Sequence, residues 1–298
     1  MADNGPDISF ERVALIGLGL IGSSLAWAMR ARGLARDYVG FSRSEATRSK
    51  ALELGFIDRA AASAAEAVAG ADLVVVAVPV GASGSIAEEI GPHLAPGSIV
   101  TDVGSVKQAV VDAIAPHIPQ GVHFVPGHPV AGTEHSGPEA GFAELFEGRW
   151  CILTPVQGTD PGAVARITAL WRALGSEVDT MDARHHDMVL AITSHLPHLI
   201  AYTIVGTATD LESSLKQEVI KFAAGGFRDF TRIAASDPVM WRDVFLANRE
   251  AVLEMLGRFD EDLTALQRAI RYGDGDKLEE IFAASRAVRR SILEAGQA

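Results

Sequence analysis

Two hydrophobic patterns divide this chain. In the first part, short runs rich in valine and isoleucine alternate with stretches of helical apolar spacing, and glycine, proline or aspartate bounds the runs. Buried parallel strands have this pattern. The predicted strands are Val13–Leu18, Tyr38–Ser42, Leu73–Pro79, Ile99–Val103, His123–Pro126 and Trp150–Pro155. The predicted helices between several of them are Ile21–Arg32, Ala46–Leu54, Ser105–Ile118 and Gly162–Leu174.

The alternation predicts right-handed βαβ units, and therefore an α/β fold with a Rossmann-type doubly wound parallel sheet. From about Asp182 only helical spacing remains, and it predicts helices over His185–Thr209, Leu211–Ala224, Pro238–Phe259, Glu261–Tyr272 and Lys277–Leu293. We therefore predict a dinucleotide-binding domain over residues 1–181 and an all-helical domain over residues 182–298. The apolar face of Met188–Ile204 needs a cover, and a second subunit is the simplest one, which predicts a homodimer.

Composition and charge exclude several classes of protein. The chain has 298 residues, of which 48% are hydrophobic and 21% charged, so it can bury a core large enough for two domains. A net charge of −12 argues against a nucleic-acid partner. No leader pattern and no uninterrupted apolar run of membrane-spanning length is found in the sequence. The single cysteine, Cys151, is expected to be a packed thiol in a cytoplasmic protein.

A glycine-rich motif indicates a dinucleotide. Gly17, Gly19 and Gly22 follow the first predicted strand and open a helix. At this spacing they allow a tight turn, a close approach of the backbone to a pyrophosphate, and close packing of helix on strand. We assign these three glycines to the cofactor site, together with Leu20 and Ile21, which lie between the second and third glycine. Pro79 and Asp102, at the ends of later predicted strands, are assigned to the same site.

The residues after the second strand favour NADP over NAD. An acidic residue usually binds the ribose 2′-hydroxyl of NAD at this place. Here the sequence has Ser42 and Arg43, and no carboxylate occurs before Glu45. A hydroxyl and a guanidinium suit a 2′-phosphate. The alternatives are that Arg43 is a solvated loop charge or stacks on adenine.

The segment around His128 carries a candidate general base. Gly127 and Gly132 let the chain turn sharply, and Pro129 biases the histidine toward an extended backbone. We predict a stiff loop that holds the His128 imidazole in a fixed orientation. The ordinary pKa of an imidazole lets it accept a proton near neutral pH. The alternative is a turn with a solvated histidine.

Three further clusters of polar residues are open to more than one interpretation. Ser105 could cap a helix together with Gln108, or could face the ligand crevice at the end of a parallel strand. His195 and His198 lie three residues apart, but no third ligand is evident, so we predict no metal site. Arg228 and Arg232 lie four apart and could form a carboxylate-binding fork, or a solvated helix face.

Five motifs in order carry a resemblance to a known family. They are Gly-Leu-Gly-Leu-Ile-Gly-Ser, Asp-Val-Gly-Ser-Val-Lys, Gly-His-Pro-Val-Ala-Gly-Thr-Glu, Ser-His-Leu-Pro-His and Gly-Phe-Arg-Asp-Phe-Thr-Arg, and Asp-Pro-Val-Met-Trp follows them. Together they resemble the prephenate/arogenate (cyclohexadienyl) dehydrogenase family of tyrosine biosynthesis, from about Arg12 to the last helix. The resemblance implies a Rossmann domain, a helical dimerisation domain and an active site between them.

The resemblance also implies roles for single residues. It makes His128 the catalytic histidine and Ser105 its partner near the substrate hydroxyl. Arg232 and His198 are then contacts of a substrate carboxylate, and the positions around the site are Thr133, Glu134, Arg228 and Trp241. Arg228 departs from the family, whose members often have lysine there; the charge is kept, but an ion-pair gate through Glu134 would involve a guanidinium in place of an ammonium.

The expected reaction is oxidative decarboxylation of prephenate to 4-hydroxyphenylpyruvate, of arogenate to tyrosine, or of both, with hydride transfer to NAD(P)+. One alternative is a β-hydroxyacid dehydrogenase, which shares this domain plan but normally uses a lysine on the first long helix of the second domain. Another is a non-catalytic NADPH-sensing dimer. That protein would need the glycine motif but not the set formed by His128, Ser105 and Arg232.

Overall fold

The computed structural model describes residues 8–133, 135–210, 218, 221–222 and 225–294. By compactness the chain divides into two units, Met1–Arg249 and Glu250–Ala298. The first unit contains both sheets described below, and the second is helical over its described residues. The predicted helix Leu211–Ala224 falls almost entirely outside the described residues.

A six-stranded sheet forms the centre of the first unit. Its strands are β1 Phe10–Ile16, β2 Ala35–Phe41, β3 Arg59–Ala60, β4 Leu73–Val76, β5 Ile99–Asp102 and β6 His123–Val125. They lie in the order β3-β2-β1-β4-β5-β6, and every pair is parallel. This order reverses between β1 and β4, where doubly wound sheets bind dinucleotides. The predicted Rossmann-type fold is confirmed.

Helices cover the sheet on both sides. The described α-helices of the first unit are α1 Leu20–Ala31, α2 Glu45–Leu54, α3 Ala64–Val68, α4 Ser83–Ile90, α5 Gln108–Ile114, α6 Pro161–Ala173, α7 Ala183–Leu190, α8 Leu196–Thr209, α9 Gly225–Thr231 and α10 Pro238–Ala247. Short 3-10 turns occupy Val80–Ala82, Gly91–His93, Ala115–His117, Pro138–Ala140 and Arg232–Ala235.

The alternation of side chains along the strands explains why the sheet is buried on both faces. On β1, Val13 and Leu15 belong to one hydrophobic cluster, whereas Ala14 and Ile16 belong to another. All four side chains are fully buried. A strand whose successive residues enter opposite cores must be apolar throughout, which is the pattern of the continuous runs in the sequence.

A second, three-stranded sheet departs from the prediction. β7 Gly127–Pro129 pairs antiparallel with β8 Trp150–Leu153, and β8 pairs parallel with β9 Glu177–Thr180. The run Trp150–Pro155 was expected in the parallel sheet, and that expectation is wrong. Its inward residues, including the fully buried Cys151, are apolar like those of the large sheet, so the run alone does not identify its partner.

The helical part of the first unit begins with a nearly continuous run. A π-helical segment, Ala191–His195, joins α7 to α8. The run Ala183–Thr209 is the one described helix that is long and apolar enough to cross a membrane by length and composition alone, with a mean hydropathy of 1.5 and 28% of its apolar window buried. The sequence analysis predicted a helix over most of this run but no membrane span, because polar side chains interrupt the apolar ones. Three of those polar side chains, His186, Asp187 and His195, are buried.

The second unit consists of two helices over its described residues. α11 Arg249–Tyr272 begins at the end of the first unit, and α12 is Gly275–Glu294. The break between them, at Gly273 with a φ of 69°, was predicted. The predicted single helix Pro238–Phe259 is instead split, because α10 ends at Ala247 and Asn248 leaves helical geometry with φ −107° and ψ 33°.

Candidate active site

The three glycines of the motif meet the structural demands expected of them. Gly17 has a φ of 108°, and a Cβ on it would lie 2.2 Å from the carbonyl oxygen of Ala77. A Cβ on Gly22 would lie 2.1 Å from the carbonyl oxygen of Gly17. Around Gly19, the residue before α1, a Cβ would meet nothing within 4 Å. Open space at a helix N-terminus, with glycines holding the turn, fits a bound pyrophosphate.

A cleft of about 250 Å³ lies over this turn. Its walls come from the glycine turn, the end of β2, and the segment after β4, and they are Gly17, Leu18, Gly19, Phe41, Ser42, Arg43, Ala77, Val78, Pro79, Ala82, Ser85 and Ile86. No carboxylate is among these lining residues. Four residues predicted to contact the cofactor do not line it: Leu20, Ile21, Gly22 and Asp102. Leu20 and Ile21 begin α1 and pack against the core.

A second arginine shapes the end of the cleft. Arg48 donates from Nη1 to the carbonyl oxygen of Ser42 at 2.5 Å and to that of Arg43 at 3.3 Å. Ser42 is half-buried and Arg43 is exposed. Arg48 therefore holds the turn after β2 in place through these two hydrogen bonds. It also adds a positive charge beside Ser42 and Arg43, which were predicted to bind a 2′-phosphate.

Asp102 lies at the end of β5 and is not among the residues that line the cleft. It forms a fully buried ion pair with Lys107, and it accepts hydrogen bonds from the backbone N–H of Gly104 at 2.8 Å and of Gly127 at 3.2 Å. Lys107 Nζ also donates to the Gly127 carbonyl oxygen at 2.6 Å. The Asp102 side chain thus joins β5 to β7, which differs from the cofactor contact predicted for it.

His128 lies in β7 and not in the predicted loop. Its backbone is paired with Ile152, and its side chain is only 7% exposed. The extended conformation that Pro129 favours is used here for strand pairing. Nδ1 of His128 is 2.8 Å from Nε2 of His186. Burial lowers the pKa of His128 well below its usual 6.5, and the charges of His186, Lys107 and His195 lower it further.

The Asp187 carboxylate caps α5 from another helix. Oδ1 accepts from the backbone N–H of Lys107 at 2.7 Å, and Oδ2 accepts from that of Gln108 at 2.9 Å. The predicted capping box of Ser105 and Gln108 is wrong, because α5 begins only at Gln108 and no side chain of its own segment caps it. Ser105 is half-buried, and its hydroxyl makes no hydrogen bond to the described residues.

A second group of predicted residues lies around Trp241. Its indole stacks on the ring of His198, with centroids 3.6 Å apart, and packs in the same cluster as Val106, next to Ser105. Burial lowers the pKa of His198, and the nearby charge of Arg232 lowers it further. The structure therefore brings together residues from α8, α10 and the segment after β5.

The remaining predicted substrate residues are less tightly placed. Thr133 is exposed, and its Oγ1 accepts from the backbone N–H of His135 at 3.2 Å. Glu134 lies outside the described residues. Arg228 is exposed on α9, whereas Arg232 begins a 3-10 turn, so the two are not on one face of a continuous α-helix as predicted.

The sequence analysis missed the buried polar residues behind His128. Asn248 Nδ2 donates to the Asp187 carbonyl oxygen at 2.8 Å and lies 3.1 Å from Nδ1 of His195. Burial lowers the pKa of His195 to about 4. One signal was available: His186 and Asp187 directly precede the apolar face that begins at Met188, and polar side chains buried beside such a face need partners. Among the described residues no group of side chains could hold a metal ion.

Two family models match this chain almost end to end. Residues 25–180 match the nucleotide-binding domain of prephenate dehydrogenase, and residues 182–284 match its dimerization domain. A cyclohexadienyl dehydrogenase from Zymomonas mobilis is 42% identical over 283 residues, which are 95% of this chain and 96% of that protein.

Two solved structures share the fold over nearly their whole length. A prephenate dehydrogenase from Aquifex aeolicus, in complex with hydroxyphenyl propionate and NAD+, has a TM-score of 0.89 and 34% identity, covering 95% of this chain and 99% of that one. An arogenate dehydrogenase from Synechocystis has a TM-score of 0.79 and 28% identity, covering 94% and 99%. The chain belongs to the prephenate dehydrogenase family.

Proposed function

We propose that this chain oxidatively decarboxylates prephenate, arogenate or both, with His128 as the base. The family is one of dehydrogenases, and the chain has a nucleotide-binding domain for a nicotinamide cofactor. The observation that carries the proposal is the connected set of site residues: Trp241 links His198 to the segment that holds Ser105, and Lys107 at the end of that segment bonds the backbone beside His128.

The chemistry asks little of the protein beyond orientation and one proton transfer. Bound NAD(P)+ supplies the hydride acceptor. His128 takes the proton of the ring hydroxyl, and Ser105 hydrogen-bonds that hydroxyl. Loss of carbon dioxide gives an aromatic ring, which supplies much of the driving force, so the side chains mainly hold the reacting atoms in place.

Positive charge near Trp241 suits the carboxylates of the substrate. Both prephenate and arogenate carry two of them. Arg232 and His198 are assigned to one carboxylate, because a guanidinium close to a half-buried imidazole forms charge-assisted hydrogen bonds with an anion. Trp241 holds the His198 ring in position, and the exposed Thr133 and Arg228, with Glu134, are assigned to the rim of the site.

We further infer that the cofactor is NADP+ in preference to NAD+. The support is local: Ser42 and Arg43 line the cleft, Arg48 adds a second guanidinium at the same turn, and no lining residue is a carboxylate. The Aquifex aeolicus relative was solved with NAD+, so the preference proposed here would distinguish this chain from that relative.

The proposed assembly is a cytoplasmic homodimer formed through the residues after 181, with the cofactor bound by the residues before 182. Apolar side chains on that part of the first unit are exposed, among them Ile192 at 48% and Leu246 at 66%. The apolar window of Ala183–Thr209 is only 28% buried, and a large uncovered apolar face indicates an interface. Sedimentation showing a monomer at micromolar concentration would contradict the dimer.

The assay that tests the function combines two substrates with two cofactors. Purified protein is given prephenate or arogenate with NAD+ or NADP+, and formation of reduced cofactor is followed by absorbance. We expect turnover with at least one substrate, faster with NADP+. A protein that binds the cofactor but turns over neither substrate, under conditions where the Zymomonas mobilis enzyme is active, would refute the proposal.

A further inference from the structure

Three buried side chains form a line that ends at the proposed base. Nδ1 of His128 lies 2.8 Å from Nε2 of His186, and Nδ1 of His186 lies 2.9 Å from Oδ1 of Asp187. The side chain of His186 is fully buried, and those of His128 and Asp187 are nearly so. His186 therefore uses both of its ring nitrogens within the line, whereas His128 uses only Nδ1.

The direction of each hydrogen bond in the line follows from Asp187, the residue farthest from the substrate. Backbone N–H groups can only donate, so the Asp187 carboxylate that receives those of Lys107 and Gln108 acts as an acceptor there. With both oxygens accepting from backbone N–H groups, the Asp187 carboxylate accepts a third hydrogen bond from Nδ1–H of His186. Burial lowers the pKa of His186, so its ring is neutral near pH 7 and Nε2 carries a lone pair.

The same logic fixes the proton on His128. Because Nε2 of neutral His186 can only accept, Nδ1 of His128 must be the donor across the 2.8 Å contact. Nε2 of His128 is then left with the lone pair, and no hydrogen bond to the described residues occupies it. The base is therefore defined to a single atom.

We propose that His186 and Asp187 form a proton relay behind His128. Nε2 of His128 accepts the substrate hydroxyl proton while its Nδ1–H proton passes to Nε2 of His186. One proton enters the pair of rings and none leaves, and the positive charge comes to lie on His186 beside the Asp187 carboxylate. This inference rests on the proposed function, in which His128 is the base.

The surroundings explain why such a relay is useful. A positive charge on His128 would be buried and would face Lys107 from the segment before α5, His186 from α7 and His195 from the π-helical segment, all of which disfavour it. Burial and the charge of Lys107 also disfavour a charge on His186, but the adjacent Asp187 favours it through both a hydrogen bond and its negative charge. The Asp102 carboxylate nearby is already paired with Lys107.

Two substitutions of His186 separate orientation from proton transfer. In His186→Gln the amide oxygen reaches the position of Nε2 and can still accept from His128, but it cannot take up the proton. In His186→Asn the amide reaches only the position of Nδ1, so the contact with His128 is lost. We expect kcat to fall about tenfold in the first and about a hundredfold or more in the second, within the range for a positioned base, with KM nearly unchanged. The exposed neighbour provides a matched control, His185→Asn, which should leave kcat unchanged.

Nitrogen-15 NMR of histidine-labelled protein reads the tautomer directly and without turnover. We expect the proton on Nδ1 of His128 in the native protein and a shift toward Nε2 in His186→Asn, while binding of reduced cofactor, followed by fluorescence, confirms that the variants are folded. A native His128 protonated on Nε2, or wild-type kcat and pH profile in His186→Asn, would overturn the relay. If His128→Asn itself keeps wild-type kcat, the proposed function fails instead.

Discussion

Replacement of Lys107 by methionine tests how the strand that carries His128 is held in place. The side chain of Lys107 is 0% exposed and bonds both the Asp102 carboxylate and the Gly127 carbonyl oxygen. Methionine has nearly the same length and no charge. The substitution therefore leaves packing largely intact but removes the cation that compensates a buried carboxylate.

The expected loss in the free energy of unfolding follows from the interactions that Asp102 keeps in the variant. Asp102 keeps the backbone N–H bonds of Gly104 and Gly127 but has no counter-ion, and removing one partner of a buried ion pair typically costs about 3–5 kcal/mol. Urea unfolding at pH 7, followed by circular dichroism, measures this loss as a lower midpoint with an unchanged slope. Activity should fall as well, because the bond to the residue before His128 is lost.

Two further variants make the test specific. Lys50→Met removes a partly exposed lysine whose ion pairs with Glu53 and Glu139 are solvated, and it should leave the midpoint nearly unchanged. The double variant Lys107→Met with Asp102→Asn should recover part of the loss, because no uncompensated charge is left buried. A single variant as stable as the Lys50 control, or a double variant that is less stable by the sum of both changes, would refute the reasoning.

Four other outcomes are expected. The variant His128→Asn should bind cofactor normally and lower kcat by about two to four orders of magnitude. Because the pKa of His128 lies well below 6.5, the kcat of the wild-type protein should stay constant down to pH 6.5 and fall only at lower pH. A fall in kcat that begins above pH 6.5 would contradict this. Arg232→Ala should raise KM by the equivalent of about 1.5–3 kcal/mol, whereas a large drop in kcat at unchanged KM would give the arginine a part in the chemistry. Arg43→Ala should weaken NADP+ binding by about 1.5–3 kcal/mol and leave NAD+ unaffected, with Ser42→Asp reversing the preference; equal losses for both cofactors would indicate stacking on adenine. The pKa of His195 is about 4 in the folded protein, below its value in the unfolded chain. Its neutral ring therefore contributes stability that is present above about pH 6.5 and lost as pH falls toward 4. Urea midpoints that do not decline over this interval would contradict the contribution of His195.

The large sheet could be predicted because its information is local. Runs such as Leu73–Val76 are apolar at every position and enter a core on both sides, and the glycines of the motif stand directly after β1. The second sheet could not be predicted in the same way. β7 has three residues, one of them a proline, and its identity as a strand comes from pairing with β8, more than twenty residues later along the chain.

The candidate site likewise contains residues that local sequence patterns could identify and contacts that they could not. Gly17, Ser42 and Arg43 could be placed together from the sequence because each lies at or next to the end of a predicted strand, and they line one cleft in the structure. The pairing of His128 with His186 joins residues 58 apart in sequence, and no local pattern records it. The capping of α5 by Asp187 is a contact of the same kind, over 79 residues at Gln108, and it replaced the local cap that the sequence favoured.

Cys151 gives the strand pair β7–β8 a built-in chemical reporter. It is the only cysteine of the sequence, it lies opposite Pro129, and it is 0% exposed. Burial raises the pKa of its thiol, so the folded protein offers a labelling reagent neither access nor thiolate. Alkylation of the native protein can then proceed only through transient separation of β8 from its surroundings. The ratio of this rate to the rate in urea measures the free energy of opening next to His128, with no substitution or probe introduced.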